Sequence, residues 1–278
     1  MRREHHELNR LSWNAATVAH NAHKRDQAGF LRGGGSTLFP EELELLGDVA
    51  GRKVVHLQCN AGQDTLSIAR LGAEVVGVDI SDEAIAFAER LSADSGIPAR
   101  FVRRDVYDWL EEENAGWADV VFASYGALGW LTDLEEWATG IAKVLAPGGT
   151  LVMVEFHPAA LMLDASFRVA FPYASSDPIA TPEGVGDYVA ASRGALSPSG
   201  HEEGPAFVNP HPTLEMAWGL GDVLGAVLAA GMRIERLVEY PYSNGCALLP
   251  SLVPDGARFV PPSGVPSFPL MYGLVARS

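Results

Sequence analysis

The chain has 278 residues, 47% hydrophobic and 20% charged, which suits one large α/β domain or one domain with a small appendage. Lys and Arg number 20 against 35 Asp and Glu, and the formal charge of −15 repels phosphate backbones, so a nucleic-acid partner is not expected. No run approaches the ~18 apolar residues that cross a bilayer. The opening Met-Arg-Arg-Glu-His-His is too polar for a secretory signal. Two cysteines, Cys59 and Cys246, make no disulfide framework, and a reducing cytoplasm is expected.

Residues 8–27 carry a partly helical pattern through Leu8, Leu11, Trp13, Ala16 and Val18, with Ser12 as N-cap, and Gly33-Gly34-Gly35 breaks it. His20 and His23 lack a Cys or carboxylate at ligand spacing, so no metal site is expected there. A short helix over Pro40–Asp48 leads into Lys53–Leu57, an apolar run with two valines that reads as a buried parallel strand. Gln58–Gly62 is small and polar, as a tight turn requires. Leu66, Ile68, Ala69 and Leu71 then recur at helical spacing. A second strand, Glu74–Val78, closes on Asp79, seventeen residues after Gly62. An acid at that position accepts from both hydroxyls of a ribose.

Further along, Ser81 caps a helix that ends near Gly96, and Ala99–Val102 forms a third strand leading to Asp105. Ala118–Ala123 is a fourth strand with Ser124, Tyr125 and Gly126 at its carboxyl end. An amphipathic helix over Leu134–Leu145 stops at Pro147-Gly148-Gly149, a turn into a fifth strand, Thr150–Phe156. Residues 158–212 are rich in Pro, Gly and Ser and read as a lid. Phe167, Phe171, Tyr173 and Tyr188 are expected to give it an aromatic inner face, with Asp187–Ala191 and Thr213–Trp218 as short antiparallel strands. A helix over Leu220–Ala230, a sixth strand over Met232–Glu239, a proline-rich loop over 240–267 and a last strand over Phe268–Ala276 complete the chain.

The turn His56-Leu57-Gln58-Cys59-Asn60-Ala61-Gly62-Gln63-Asp64-Thr65, followed in register by Asp79, Asp105 and Leu145-Ala146-Pro147-Gly148-Gly149, resembles the motif series of class I S-adenosylmethionine-dependent methyltransferases. His56 stands where the usual motif begins with an acid, and two of its glycines are replaced. The resemblance covers residues 50–157 by motif and 213–278 by topology. It implies a Rossmann-like, doubly wound α/β fold whose seven-stranded sheet is mostly parallel with an antiparallel last strand, plus a lid insertion.

On that basis the expected organisation is an N-terminal helical cap (1–47), a cofactor-binding core (48–157), a lid (158–218) and the C-terminal part of the sheet domain (219–278). The implied cofactor is S-adenosyl-L-methionine, whose sulfonium charge is compatible with an acidic chain. Its expected contacts are Gln58, Asn60, Gly62, Asp64 and Thr65 around the turn, Asp79 and Ile80 at the ribose, Asp105 and Val106 at the adenine, and Ser124. His157 is the first candidate for a catalytic base, because imidazole titrates near neutrality, with Tyr125 and His20 as runners-up. The acceptor is expected to be a small apolar or aromatic molecule, since Arg168 and Arg193 are the lid's only ordinary cations. Two other readings stay open: a nicotinamide-dependent oxidoreductase, for which Asp79 is suited but the glycines are missing, and a non-catalytic nucleoside-binding regulatory protein.

Overall fold

The computed structural model describes residues 2–199 and 206–278, so residues 200–205 of the expected lid and Met1 of the expected cap lie outside the described residues. The chain first forms α1 (Arg2–Ala22), α2 (Gln27–Arg32) and α3 (Pro40–Leu46), then β1 (Lys53–Leu57). It alternates through α4 (Gln63–Arg70), β2 (Glu74–Asp79), α5 (Asp82–Ser95), β3 (Arg100–Arg103), α6 (Val106–Glu112) and β4 (Ala118–Ser124). A 3-10 turn at Leu128–Trp130 leads to α7 (Leu134–Val144), β5 (Leu145–Phe156) and the single turn α8 (Pro158–Leu161). There follow β6 (Ile179–Thr181), α9 (Tyr188–Ala191), β7 (Thr213–Glu215), α10 (Leu220–Ala229) and β8 (Arg233–Tyr240). The last elements are β9 (Ser243–Asn244), β10 (Val253–Asp255), β11 (Arg258–Val260) and β12 (Met271–Arg277).

Seven strands form one sheet in the order β3-β2-β1-β4-β5-β12-β8. The first five run parallel, and β12 is antiparallel to both β5 and β8. Successive side chains on a strand face opposite ways. Val54, Val75, Val120, Phe122 and Val152 therefore meet Leu45 and Leu46 of α3 and Ile68 of α4 on one face. Val55, Val76, Val121, Leu151 and Met153 meet Trp109, Trp137, Ile141 and Val227 on the other. Both faces are buried over the central strands, so the sheet is held there by apolar burial at ~1.5–3 kcal/mol per large side chain. The order reverses between β1 and β4, which opens a crevice at their carboxyl ends.

Several local expectations are corrected. The N-terminal helix begins at Arg2, and Ser12 lies inside it rather than at its N-cap. The buried stripe of α1 is His5, Asn9, Ser12, Ala16 and His20, mostly polar, so an apolar pattern could not mark its start. Pro147-Gly148-Gly149 sits inside β5 as an irregularity opposite β4 rather than as a turn before it. A Cβ on Gly149 would lie 2.9 Å from the Ala146 carbonyl and 3.0 Å from that of Ala118, so the bulge needs glycine there. Thr213–Glu215 does form a strand, but its partner is Ile179–Thr181. Residues 188–191 are one helical turn capped by Asp187, whose side chain accepts from Ala190 N–H. Within the expected loop over 240–267, β9, β10 and β11 form a small antiparallel sheet packed by Phe259, Leu249 and Leu252.

Candidate active site

The turn after β1 is built on left-handed backbone at Gln58 (φ 53°), Asn60 (φ 48°) and Gly62 (φ 77°). Two of these are not glycine, and side-chain bonds hold them. Gln58 Nε2 donates to the Ala127 carbonyl at 2.7 Å, and Asn60 Oδ1 accepts from Ala61 N–H at 2.7 Å. At Gly62 a Cβ would lie 2.6 Å from Ala88 Cβ and 2.8 Å from the Phe101 ring, so this glycine lets α4 start against α5 and β3. Gly62 and Thr65 stand behind the wall of the crevice and do not line it. Thr65 Oγ1 instead meets His56 Nδ1 at 2.9 Å, and burial lowers His56 to about 4, which keeps the imidazole neutral.

Asp79 ends β2 with one oxygen accepting from Asn60 N–H and the other from Ser81 N–H, both at 2.8 Å. Each oxygen keeps a second lone pair. Burial raises the carboxyl above its ordinary value, against these backbone bonds. Asp105 caps α6, accepting from Tyr107 N–H at 2.9 Å, and receives His6 Nδ1–H at 2.5 Å on its other oxygen. Although burial would raise it, the bonds to His6 and Tyr107 and the charge of Arg2 leave Asp105 below the usual carboxylate value. Asp79, Ile80, Asp105 and Val106 all line one cavity of about 630 Å³ at the crevice. That size lies within the ~300–1,000 Å³ of small-molecule sites.

At the end of β4, Ser124 and Tyr125 reach the same cavity, with Tyr125 at φ 38°. Glu155 fixes this corner, its buried carboxylate accepting from the backbone N–H groups of Gly126, Ala127, Leu128 and Phe156. The Tyr125 hydroxyl accepts from Asn244 Nδ2 at 3.0 Å, and burial carries it well above the ordinary phenol value. His157, the first candidate for the base, also lies away from the cavity. Phe156 lines the cavity and the next side chain turns to the other side, where the His157 ring packs edge-on to Tyr272. There His157 Nδ1 accepts from Ala159 N–H at 3.1 Å, capping α8, and Nε2 lies 3.0 Å from Glu239.

The cavity is covered by α1 and the insertion. His20 lines it and donates from Nε2 to the Gly186 carbonyl at 2.9 Å, with its ring 4.2 Å from that of Tyr188. Burial lowers His20 to about 4. Trp13 packs edge-on to Trp130 and Tyr188, which makes the aromatic part of the lining. Of the expected lid aromatics only Tyr188 takes part. Phe167 packs on Phe268, and Phe171 and Tyr173 are exposed because that segment lies along the outer surface. Sequence reasoning missed His6, Lys24, Trp130, Glu215 and Asn244, all on the cavity wall. The pair His5-His6 and the Gly129-Trp130 step were visible polar and aromatic signals. Lys24, Glu215 and Asn244 had none, because chain order says nothing about what folds over a crevice.

Residues 54–149 match the family model described as a methyltransferase domain. The order and directions of the strands in this segment are those of the class I methyltransferase fold. The matched segment contains Gln58, Asn60, Asp64, Asp79, Asp105 and Ser124, whereas α1, the insertion and Asn244 lie outside it. Over 101 residues the chain is 34% identical to a ubiquinone biosynthesis O-methyltransferase of Cupriavidus pinatubonensis, covering 36% of this chain and 40% of that protein. Over 118 residues it is 30% identical to a demethylmenaquinone methyltransferase of Thermus thermophilus, covering 42% and 52%. The chain thus spans about half or less of the curated relatives it matches. An S-adenosylmethionine-dependent methyltransferase structure from Mesorhizobium loti shares the fold at a TM-score of 0.54 and 18% identity, over 88% of this chain and 99% of that one.

Proposed function

We propose that this protein is an S-adenosyl-L-methionine-dependent methyltransferase acting on a small organic acceptor. The observation that carries it is the convergence of Asp79 and Asp105, from the ends of adjacent strands, on one cavity beside the Gln58–Ala61 turn. Asp79 has lone pairs left for the ribose hydroxyls. Asp105 suits the adenine amino group, and Val106 N–H, at the first position of α6 where no intrahelical bond forms, suits a ring nitrogen. The rings of Trp13, Trp130 and Tyr188 favour a cation nearby. When bound, the cofactor supplies an electrophilic methyl group on a positively charged sulfur.

The protein's share of such a reaction is alignment and exclusion of water, which supplies ~7–11 kcal/mol when reactants are well oriented. His157 is off the cavity, His20 is too weak a base at about 4, and Tyr125 holds its proton. His20 and Tyr125 orient rather than deprotonate. Glu215 has its carboxyl raised by burial, and it suits an acceptor of modest acidity such as a phenol or thiol. Enclosure by α1 and the insertion supports a small acceptor, as do the quinone-pathway names of the relatives. The antiparallel β12 between β5 and β8 departs from the all-parallel order of the dinucleotide fold, which weighs against the nicotinamide reading. Calorimetric titration with S-adenosylhomocysteine tests the proposal. Saturable binding with no NADH fluorescence enhancement is expected, and no heat at millimolar ligand would refute it.

A further inference from the structure

Acids dominate the polar wall of the cavity: Asp64, Asp79, Asp105, Asp187 and Glu215 all face it or border it. Against them Lys24, just beyond the end of α1, stands on the same wall. Among the described residues its ammonium has no hydrogen bond and no carboxylate within 4.0 Å. Other groups around it are already committed. Asp64 accepts from the Thr37 hydroxyl, and Asp187 pairs with His23 Nε2 at 2.8 Å. The Gln63 amide donates to Asn21 at 3.0 Å and Gln27 at 2.8 Å. Burial lowers the Lys24 pKa, and the charge of Asp64 only partly offsets that. Lys24 is half-buried, and an ammonium partly stripped of water with no counter-ion in contact is stabilised by a ligand that provides one. The surrounding acids restrict what that ligand can be. A phosphate or any dianion paired with Lys24 would be repelled by Asp64, whereas one carboxylate neutralises Lys24 and adds less repulsion.

We propose that Lys24 is the carboxylate anchor of this cavity, its ammonium pairing with a single carboxylate on the bound ligand. The inference rests on the methyltransferase reading, which gives two sources for that group: the amino-acid end of the methyl donor, or an acid on the acceptor.

The test compares wild type with Lys24→Met and Lys24→Arg by calorimetry, using S-adenosylhomocysteine and 5′-methylthioadenosine, which lacks the amino-acid end. For a cofactor carboxylate, Lys24→Met weakens S-adenosylhomocysteine about ten-fold or more, leaves methylthioadenosine within two-fold, and Lys24→Arg restores most of the loss. For an acceptor carboxylate, both nucleosides bind Lys24→Met unchanged. Benzoate then loses its affinity for the S-adenosylhomocysteine-saturated variant by ligand-observed NMR, while benzamide does not. Lys24→Met matching wild type in both arms overturns the assignment, as does equal weakening of the two nucleosides. Wild type that binds neither nucleoside refutes the methyltransferase reading and takes this assignment with it.

Discussion

Asp79→Ala is the most direct perturbation of the proposed cofactor site. The carboxylate has two 2.8 Å bonds from backbone and lone pairs left for two ribose hydroxyls. A hydrogen bond to a charged group contributes ~1.5–3 kcal/mol net. The lower figure applies, because burial already raises this carboxyl and alanine removes that unfavourable charge. Two such bonds give about 3 kcal/mol, or roughly 150-fold in the Kd for S-adenosylhomocysteine. Asn60 and Ser81 N–H also lose their acceptor, but water in the cavity replaces it in part, so stability falls by about 2 kcal/mol. Titration calorimetry with a thermal melt on the same sample separates the two effects. A Kd within three-fold of wild type, with the melt also unchanged, would refute the ribose assignment.

Gly62→Ala places a Cβ 2.6 Å from Ala88 Cβ in left-handed backbone and should destabilise the fold by about 3 kcal/mol, read as a melting point lower by roughly 6–10 °C. His157→Ala should leave kcat/KM within about two-fold and lower the urea midpoint through loss of the α8 cap, at about 1 kcal/mol. A hundred-fold loss of kcat would restore His157 to the chemistry. His20 and His56 are both lowered by burial to about 4, from 6.5 unfolded, so the unfolded chain takes up protons first as pH falls. Their contribution is complete above pH 6.5 and is lost progressively down to pH 4, at about 2 kcal/mol each by pH 5. Buried acids such as Glu155 are raised and act in the opposite sense. The clean measurement is therefore the wild-type minus His56→Gln difference in urea unfolding at pH 7 and pH 5.

The sheet was legible because its signal is local: valine-rich runs at Lys53–Leu57 and Glu74–Asp79 must be buried on two faces, and their order leaves few topologies. Asp79 and Asp105 were legible for the same reason, since Asp79 ends β2 and Asp105 lies two residues beyond the end of β3. A cap and a lid were legible, but the polar seam that joins them was not. The α1 stripe from His5 to His20 is polar because it packs on the polar segments of the insertion, and hydrophobic periodicity passes over it. His157 was misplaced by a single residue of strand alternation. Phe156 took the cavity side, and a base assigned from chemistry alone had no means of choosing between the two faces.

The polar seam also bears on how a ligand reaches so enclosed a site. Asn9 exchanges two bonds with Leu214, Ser12 bridges His211 O and Val185 N–H, and Asn209 ties Ser12 to Val185. On its other edge α1 reaches the sheet domain through His6 to Asp105 and through Asn14 to Ser81 and Asp82. A cover held by buried leucines would cost ~1.5–3 kcal/mol per side chain to lift. Neutral polar bonds exchange for water when the seam opens and cost only ~0.5–1.5 kcal/mol each. Five of these bonds join α1 to the insertion and three, two of them to the carboxylates of Asp105 and Asp82, join it to the sheet domain, and together they define one closed geometry because each fixes a direction as well as a distance. His6 and Asn14 sit at the ends of the same two strands that carry Asp105 and Asp79. Asp79, Asp105 and the rest of the cavity thus lie beneath one helix whose buried stripe is mostly polar.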